Sequence, residues 1–133
     1  MAERFAQHRG ELDQLVQMFQ ADAGLERVGK DFTWPDDPGR VGVTEQRVFE
    51  YRRLCQSIGA PDCIEGYPEA KDPIWIHVSA HGMSFSGDSK GFLYSRAPPF
   101  EIVPSFDAVT TKRSETWLRP LEGPWYIYFD VRN

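Results

Sequence analysis

Histidine and cysteine side chains are the residues of this 133-residue chain best suited to chemistry. His77, His81 and Asp88 are candidates for a metal or acid–base cluster. Cys63 with His77 or His81 is a candidate thiol dyad. His77 and His81 lie four residues apart on a predicted strand and its end, where that spacing does not bring side chains together as it would on a helix. The third histidine, His8, lies on a predicted helix, so we expect no metal and no cofactor.

The segment Gly87–Gly91 (GDSKG) has the composition of a phosphate-binding loop. A P-loop requires G-x-x-x-x-G-K-[ST] between a strand and a helix. Here Lys90 precedes the second glycine, and a predicted strand lies on each side. Glycine, aspartate and serine are also the residues of tight hairpin turns, so we interpret the segment as a turn. The same five residues have the spacing G-x-S-x-G, but a nucleophile elbow requires a strand-to-helix turn, and we assign no catalytic residue.

Composition narrows the class of partner. The net charge is −5 and the isoelectric point about 5.2, which disfavours nucleic acid and an anionic membrane surface. An acidic surface favours encounter with a basic protein. Aromatic residues make up 14% of the chain, more than one core of this size requires, so some are expected at a recognition surface.

The cellular compartment expected for the protein decides whether its two cysteines are expected as thiols. The N-terminal residues lack the apolar core of a signal peptide, and no apolar stretch approaches the length of a membrane span. We therefore expect a cytoplasmic protein with no membrane association. Cys55 and Cys63 are then expected as thiols, with Cys55 a small buried residue on a helix stripe.

Apolar spacing predicts two helices. Apolar residues recur at three- and four-residue intervals over residues 3–21. A second helix is predicted over Thr44–Ile58, with Thr44 as its N-cap and Gly59 at its end. Residues 30–39 contain two prolines and three aspartates, so no regular element is expected there. Trp34 in this loop is expected to cap the core.

From residue 74 the apolar pattern changes to a period of two. Strands are predicted at 74–79, 83–86, 92–96, 100–103, 115–121 and 125–131. Helices followed by strands favour an α+β fold with two N-terminal helices packed on one face of a four- to five-stranded antiparallel meander sheet. We expect one domain, 1–133, with a helical part at about 3–58 and a sheet part at about 74–131.

The sheet face turned away from the helices is predicted to carry aromatic side chains. Alternation along the strands places Trp75 and His77 on one face of their strand, and Tyr126 and Tyr128 on one face of theirs. Asp88 belongs beside them if the hairpin turn lies at that face. The predicted partner-binding residues are Trp75, His77, Asp88, Tyr126 and Tyr128.

A family resemblance rests on four segments: 85–95 (FSGDSKGFLYS), 98–99 (PP), 103–107 (VPSFD) and 117–126 (WLRPLEGPWY). Together they resemble a group of small uncharacterised bacterial proteins over roughly residues 74–131. Such acidic α+β proteins are similar in type to immunity proteins that neutralise secreted bacterial toxins. The resemblance implies a role as a binding protein and assigns no functional residue.

Three hypotheses follow. The first is a non-enzymatic immunity protein that occludes the active site of a basic toxin domain. The alternative is a small-ligand-binding protein or enzyme with a pocket near His77 and Cys63, between the sheet and the Trp34 loop. The third is a subunit that forms a homodimer through an exposed strand edge. A concave pocket with convergent titratable groups would favour the second, and a flat aromatic and acidic patch the first.

Overall fold

The computed structural model of the protein describes residues 2–67, 71–79, 89–97, 101–102 and 115–131. These ranges contain the helices α1 (Ala2–Gln7), α2 (Arg9–Ala21) and α3 (Glu45–Ser57), and a 3₁₀ turn at Pro38–Val41. The strands are β1 (Arg27–Val28), β2 (Thr33–Trp34), β3 (Ile64–Gly66), β4 (Ile74–Ser79), β5 (Ser89–Tyr94), β6 (Glu101–Ile102), β7 (Glu115–Glu122) and β8 (Trp125–Val131). No helix in the described ranges combines the length and apolar character needed to cross a bilayer.

Helix α3 confirms the second predicted helix and its N-cap. The Thr44 hydroxyl accepts a hydrogen bond from the Arg47 backbone N–H at 3.1 Å, which satisfies one of the unpaired donors of the first turn. The helix ends before Gly59, whose φ of +73° is a left-handed conformation that glycine adopts without a steric penalty. Its buried side chains are those of the predicted stripe: Val48, Tyr51, Leu54 and Cys55.

The first predicted helix is divided at His8 into α1 and α2. His8 leaves helical geometry with φ −120° and ψ 24°. The backbone hydrogen bonds continue across it, because His8 donates to Arg4 O and accepts from Leu12 N, both at 3.0 Å. The division is therefore a kink, and it brings Phe5 within 6.0 Å of Phe92 between ring centroids.

The sheet is larger than the predicted meander. Its strand order is β2-β1-β3-β4-β5-β8-β7-β6, with seven strands paired antiparallel and β6 parallel to β7. The predicted count of four to five strands is wrong, because the short strands β1, β2 and β3 extend the sheet beyond β4. The predicted meander order is also wrong, since β5 pairs with β8 rather than with β6.

Part of the predicted hairpin lies in a strand. Ser89, Lys90 and Gly91 belong to β5 and pair with β8, and β4 pairs along the opposite side of β5. The predicted turn over 87–91 is therefore wrong in its second half. The predicted strand 83–86, together with Gly87 and Asp88, lies outside the described residues.

Helices cover one face of the sheet. The main core joins apolar residues of all three helices to the strand residues Val28, Ile64, Ile74, Ile76, Val78, Phe92, Trp125 and Ile127. The even spacing of these residues within β4 and within β8 places them on the same face. The α+β class and the placement of the helices on one sheet face agree with the prediction.

Cys55 and Cys63 form a disulfide, which corrects the expectation of two thiols. Cys55 lies in the last turns of α3 and Cys63 immediately precedes β3, with 5.3 Å between their Cα atoms. Both side chains are buried. The turn after α3 reverses the chain and brings these residues together, a proximity that the spacing of two cysteines in a sequence does not show.

Removal of the disulfide tests its contribution to stability. The Cys55→Ala/Cys63→Ala double variant should lose about 2–3 kcal/mol of unfolding free energy, from the loop entropy expected for a separation of eight residues. Urea denaturation gives the value. Modification of both cysteines by iodoacetamide in urea, with no reductant present, would contradict the disulfide.

Lys71 is a buried cation next to the core. Its Nζ lies 3.4 Å from the centroid of the Phe19 ring and donates to the Leu25 carbonyl. Burial lowers the pKa of Lys71 to about 8, although the carboxylates of Asp22 and Glu26 act in the opposite direction. The ordinary pKa of this group is 10.5, so the folded chain releases the proton before the unfolded chain does.

The stability of the protein should therefore rise with pH between about 8 and 10.5, where the unfolded state binds more protons. This contribution is fully present above the unfolded pKa and disappears as the pH falls through the folded one. In Lys71→Met the rise should be absent, whereas Lys30→Met, at an exposed lysine, should retain it. Urea denaturation at several pH values makes the comparison. Parallel pH profiles for wild type and Lys71→Met would refute the assignment.

Candidate functional site

Strand pairing arranges side chains in rows across the open face of the sheet, the face away from the helices. Residues directly opposite each other on paired strands lie on the same face. One row consists of Trp34, Arg27, Glu65, Trp75, Leu93 and Tyr126. The next row consists of His77, Gly91, Tyr128 and Leu118.

A chain of polar contacts connects the two rows. The Tyr128 hydroxyl lies 2.5 Å from His77 Nδ1, and His77 Nε2 lies 2.5 Å from a Glu65 carboxylate oxygen. Arg27 then donates to the other Glu65 oxygen at 3.3 Å. The four side chains come from β8, β4, β3 and β1, so the chain of contacts spans half of the sheet.

Burial and charge explain the ionisation of these groups. Burial raises the pKa of Tyr128, and the carboxylates of Glu65, Asp130 and Asp62 raise it further, so the hydroxyl stays neutral. The hydrogen bond from His77 lowers the pKa of Glu65, with burial opposing it and Arg27 adding to it. Glu65 is therefore held as a carboxylate.

Gly91 makes the position of Tyr128 possible. A Cβ atom at residue 91 would lie 2.1 Å from the Ile76 carbonyl oxygen and 2.8 Å from Tyr128 Cε1. Both distances are far below van der Waals contact. Only glycine leaves room for the tyrosine ring over β5, where its hydroxyl reaches His77.

A small aromatic cluster forms the floor of the face. Trp75 meets Tyr128 edge to face at 5.1 Å and is nearly parallel to the His77 ring. Leu93 and Leu118 are fully buried beside Tyr128, and Trp75 and Tyr126 pack against them. This is a second core, separate from the one under the helices.

The open face is concave, and the concavity forms a cleft of about 860 Å³. We call this the sheet cleft. Its aromatic lining consists of Phe32, Trp34, Tyr67, Trp75 and Tyr128. Its charged and ionisable lining consists of Glu26, Arg27, Glu65, His77 and Asp130.

Three aromatic residues of the cleft lining are exposed. The exposed fraction is 49% for Phe32, 55% for Trp34 and 65% for Tyr67. We call these three the aromatic rim. Trp34 was expected to cap the core, and that prediction is wrong, because β2 is the outermost strand and pairs Trp34 with Arg27 on the open face.

The structure brings together four of the five predicted partner-binding residues. Trp75, His77, Tyr126 and Tyr128 lie on the open face, whereas Asp88 lies outside the described residues. Tyr128 is fully buried, and it forms the floor of the sheet cleft rather than a contact surface.

Sequence reasoning placed the Trp34 loop beside a possible pocket, but it did not find Phe32, Tyr67 or Arg27 as members of the site. The short strands that carry Arg27, Trp34 and Glu65 have two or three residues each, too few to show a period of two. The signal that was available is the presence of three large rings, Phe32, Trp34 and Tyr67, in segments without a helical pattern.

Cys63 and His77 do not form the predicted thiol dyad. Cys63 is bonded to Cys55 in a disulfide and does not line the sheet cleft, and both ring nitrogens of His77 are engaged in hydrogen bonds. Within the described ranges, no group of three or more His, Cys, Asp and Glu side chains is placed to hold a metal ion.

Comparison with known proteins adds no assignment: no family model, curated protein or solved structure matches this chain. The resemblance to immunity proteins therefore stays a prediction.

Loss of the Tyr128 hydroxyl tests the chain of contacts. Tyr128→Phe should lower the unfolding free energy by about 1–3 kcal/mol, because it leaves His77 Nδ1 without its buried partner. The matched variant Tyr126→Phe removes a hydroxyl from the same strand and face, and it should cost less than about 0.5 kcal/mol. Urea denaturation measures both, and equal losses would show that the Tyr128 contact contributes nothing specific.

Proposed function

We propose that this protein is a non-enzymatic binding protein that holds a protein partner at the sheet cleft and its aromatic rim. The observation that carries the proposal is the rim itself. Phe32, Trp34 and Tyr67 are large rings, each about half exposed or more, and they border one concavity. Exposed aromatic residues around a pocket are typical anchors of protein interfaces.

The enzyme alternative expected His77 and Cys63 as the reactive groups of one pocket. His77 lines the sheet cleft, whereas the Cys63 sulfur is bonded to Cys55 in a disulfide. The thiol chemistry of that alternative therefore has no nucleophile in this structure.

The biological role within this proposal is that of an immunity protein, which blocks a basic toxin domain by covering its active site. The net charge of −5 and the carboxylates beside the aromatic rim suit a basic partner. The compartment expected from the sequence was cytoplasmic. The Cys55–Cys63 disulfide argues for an oxidising compartment instead, since such bonds are uncommon in the cytosol.

A small-ligand-binding protein is the second candidate. Its support is the volume of the sheet cleft, about 860 Å³, which lies within the range of ligand pockets. His77 lines this cleft, as that hypothesis expected, whereas Cys63 does not. The exposure of the aromatic rim favours the protein partner, because pockets for small molecules bury most of their aromatic lining around the ligand.

Quantitative co-purification tests the proposal. The tagged protein should enrich one basic protein from lysate of its native host, and the Trp34→Ala/Tyr67→Ala variant should lose at least about 90% of it, as expected for two interface anchors. Phe49→Ala is the matched control: Phe49 is 67% exposed but lies on α3, outside the lining of the sheet cleft. The identified partner should be inhibited when the purified proteins are mixed.

Two outcomes would count against the proposal. Equal enrichment by wild type and by the double variant would place the interface elsewhere. A small molecule found by native mass spectrometry in the wild type, absent from the double variant and with no enriched protein, would favour the second candidate.

A further inference from the structure

We infer that the sheet cleft receives an extended, proline-containing segment of the protein partner. This inference rests on the proposed function and specifies the chemistry that the cleft recognises. It follows from hydrogen-bond donors of the cleft that have no acceptor, from carboxylates that are already engaged within the chain, and from the large rings that border the same concavity. Together they favour a neutral ligand that supplies carbonyl oxygens and apolar rings.

Arg27 has donors that the chain does not use. Its Nη1 donates to a Glu65 carboxylate oxygen at 3.3 Å, and its Nε is buried with no hydrogen-bond partner among the described residues. A guanidinium has more N–H groups than one carboxylate contact occupies, and a buried donor without an acceptor is unfavourable. Arg27 lines the sheet cleft with 31% of its side chain exposed, so an acceptor of a ligand has access to the guanidinium.

Trp34 provides a second donor next to Arg27. The two residues lie directly opposite each other in the β1–β2 pairing, so their side chains are neighbours on the open face. The Trp34 ring is exposed, and its indole N–H has no acceptor in the described part of the chain. An indole N–H donates a hydrogen bond and accepts none. One ligand segment can therefore pack on this ring and place carbonyl oxygens against both donors.

The acceptors on the floor of the cleft are engaged within the chain. Glu65 accepts from His77 at one carboxylate oxygen and from Arg27 at the other. Asp130 accepts from the Thr116 hydroxyl at 2.8 Å. A ligand with many N–H donors would have to compete with these contacts, whereas a ligand with many carbonyl groups would not.

The charge of the cleft favours a neutral ligand over an ion. The Arg27 guanidinium is already paired with Glu65, and an anion would also meet the Asp130 carboxylate. The side chain of Glu26 alternates away from that of Arg27 toward the helices, where its carboxylate raises the pKa of Lys71 against the effect of burial. Among the described lining residues, therefore, no carboxylate is set aside for a cation on the open face.

Proline residues meet these requirements. A proline supplies a carbonyl acceptor but no backbone N–H, so it adds no donor to a cleft that already has donors to spare. Polyproline II segments make no internal hydrogen bonds, which leaves their carbonyl oxygens available. Their pyrrolidine rings pack in grooves lined by aromatic side chains. Phe32, Trp34 and Tyr67 supply exposed rings of this kind around the sheet cleft.

Blocked hexapeptides provide the direct test. Acetyl-hexaproline-amide has carbonyl acceptors and no N–H within its prolines, whereas a blocked hexapeptide of alternating alanine and glutamine is equally uncharged and has an N–H at every residue. We expect the proline peptide to bind at least about fivefold more tightly, from ring packing and its preformed conformation. Chemical shifts of backbone amides and tryptophan indole N–H groups report binding in the millimolar range. Tighter binding of a proline peptide that carries two glutamates would contradict the neutral ligand.

Variants assign the binding to the inferred donors. Arg27→Lys keeps a positive charge beside Glu65 but removes the guanidinium, and Trp34→Phe keeps an aromatic ring but removes the indole N–H. Each should weaken the proline peptide by about threefold or more. Arg53→Lys is the matched control, because it removes a guanidinium from an ion pair with Glu50 on α3, outside the lining of the sheet cleft.

The control variant should bind the proline peptide as the wild type does, and circular dichroism confirms that each variant is folded. An equal loss of affinity in the control variant and in the two cleft variants would overturn the assignment of the donors.

The two proposals fail separately. Equal affinity for the proline and the alanine–glutamine peptides, or no binding of either, overturns the proline inference, and loss of partner enrichment in Trp34→Ala/Tyr67→Ala would still support the binding role. Selective binding of the proline peptide with undiminished partner enrichment in that variant would overturn the proposed function and, with it, the assignment of the segment to the partner.

Discussion

The helices of this protein cover one face of an eight-stranded sheet, so the other face must bury its large side chains without a second layer. Tyr128 shows this requirement most clearly. Its ring is fully buried, and a buried hydroxyl without a partner would cost about 1–3 kcal/mol. His77 is that partner. The imidazole in turn has an acceptor, Glu65, and the partly buried carboxylate is paired with a cation, Arg27.

Each successive partner in this chain of contacts lies on a further strand of the sheet. Glu65 lies on β3 and Arg27 on β1, and both strands are too short to be stable alone. The disulfide at Cys63 ties the start of β3 to α3, and the Cys63 carbonyl accepts a hydrogen bond from His77 N at 2.8 Å. The floor of the sheet cleft is therefore held by several independent contacts. Its rim, made of exposed rings on β2 and the neighbouring loops, is held by fewer.

A fixed floor with an exposed rim suits recognition. His77 has a hydrogen-bond partner at each ring nitrogen within the chain, so a partner need not supply hydrogen bonds to it. The rings of Phe32, Trp34 and Tyr67 remain available as contact area.

Elements with a long periodic pattern could be predicted from the amino-acid order. The stripe from Val48 to Cys55 with the Thr44 cap identified α3, and the alternation from Ile74 to Val78 identified β4, because hydrophobic spacing and capping act between near neighbours in the chain. The same alternation in β4 and β8 correctly brought Trp75, His77, Tyr126 and Tyr128 to one face.

The pairing between distant segments could not be predicted from local sequence patterns. The strand β5 lies beside β8 rather than β6, Cys55 meets Cys63 in a disulfide, and Trp34 leaves the core for the open face because β2 completes the sheet edge. Each of these depends on contacts between residues that are far apart in the sequence or related by a chain reversal. Residue types indicated the candidates for the site, but long-range packing decided its members. Packing placed Glu65 beside His77 and Arg27 beside Glu65, and it joined the Cys63 sulfur to Cys55 in a disulfide.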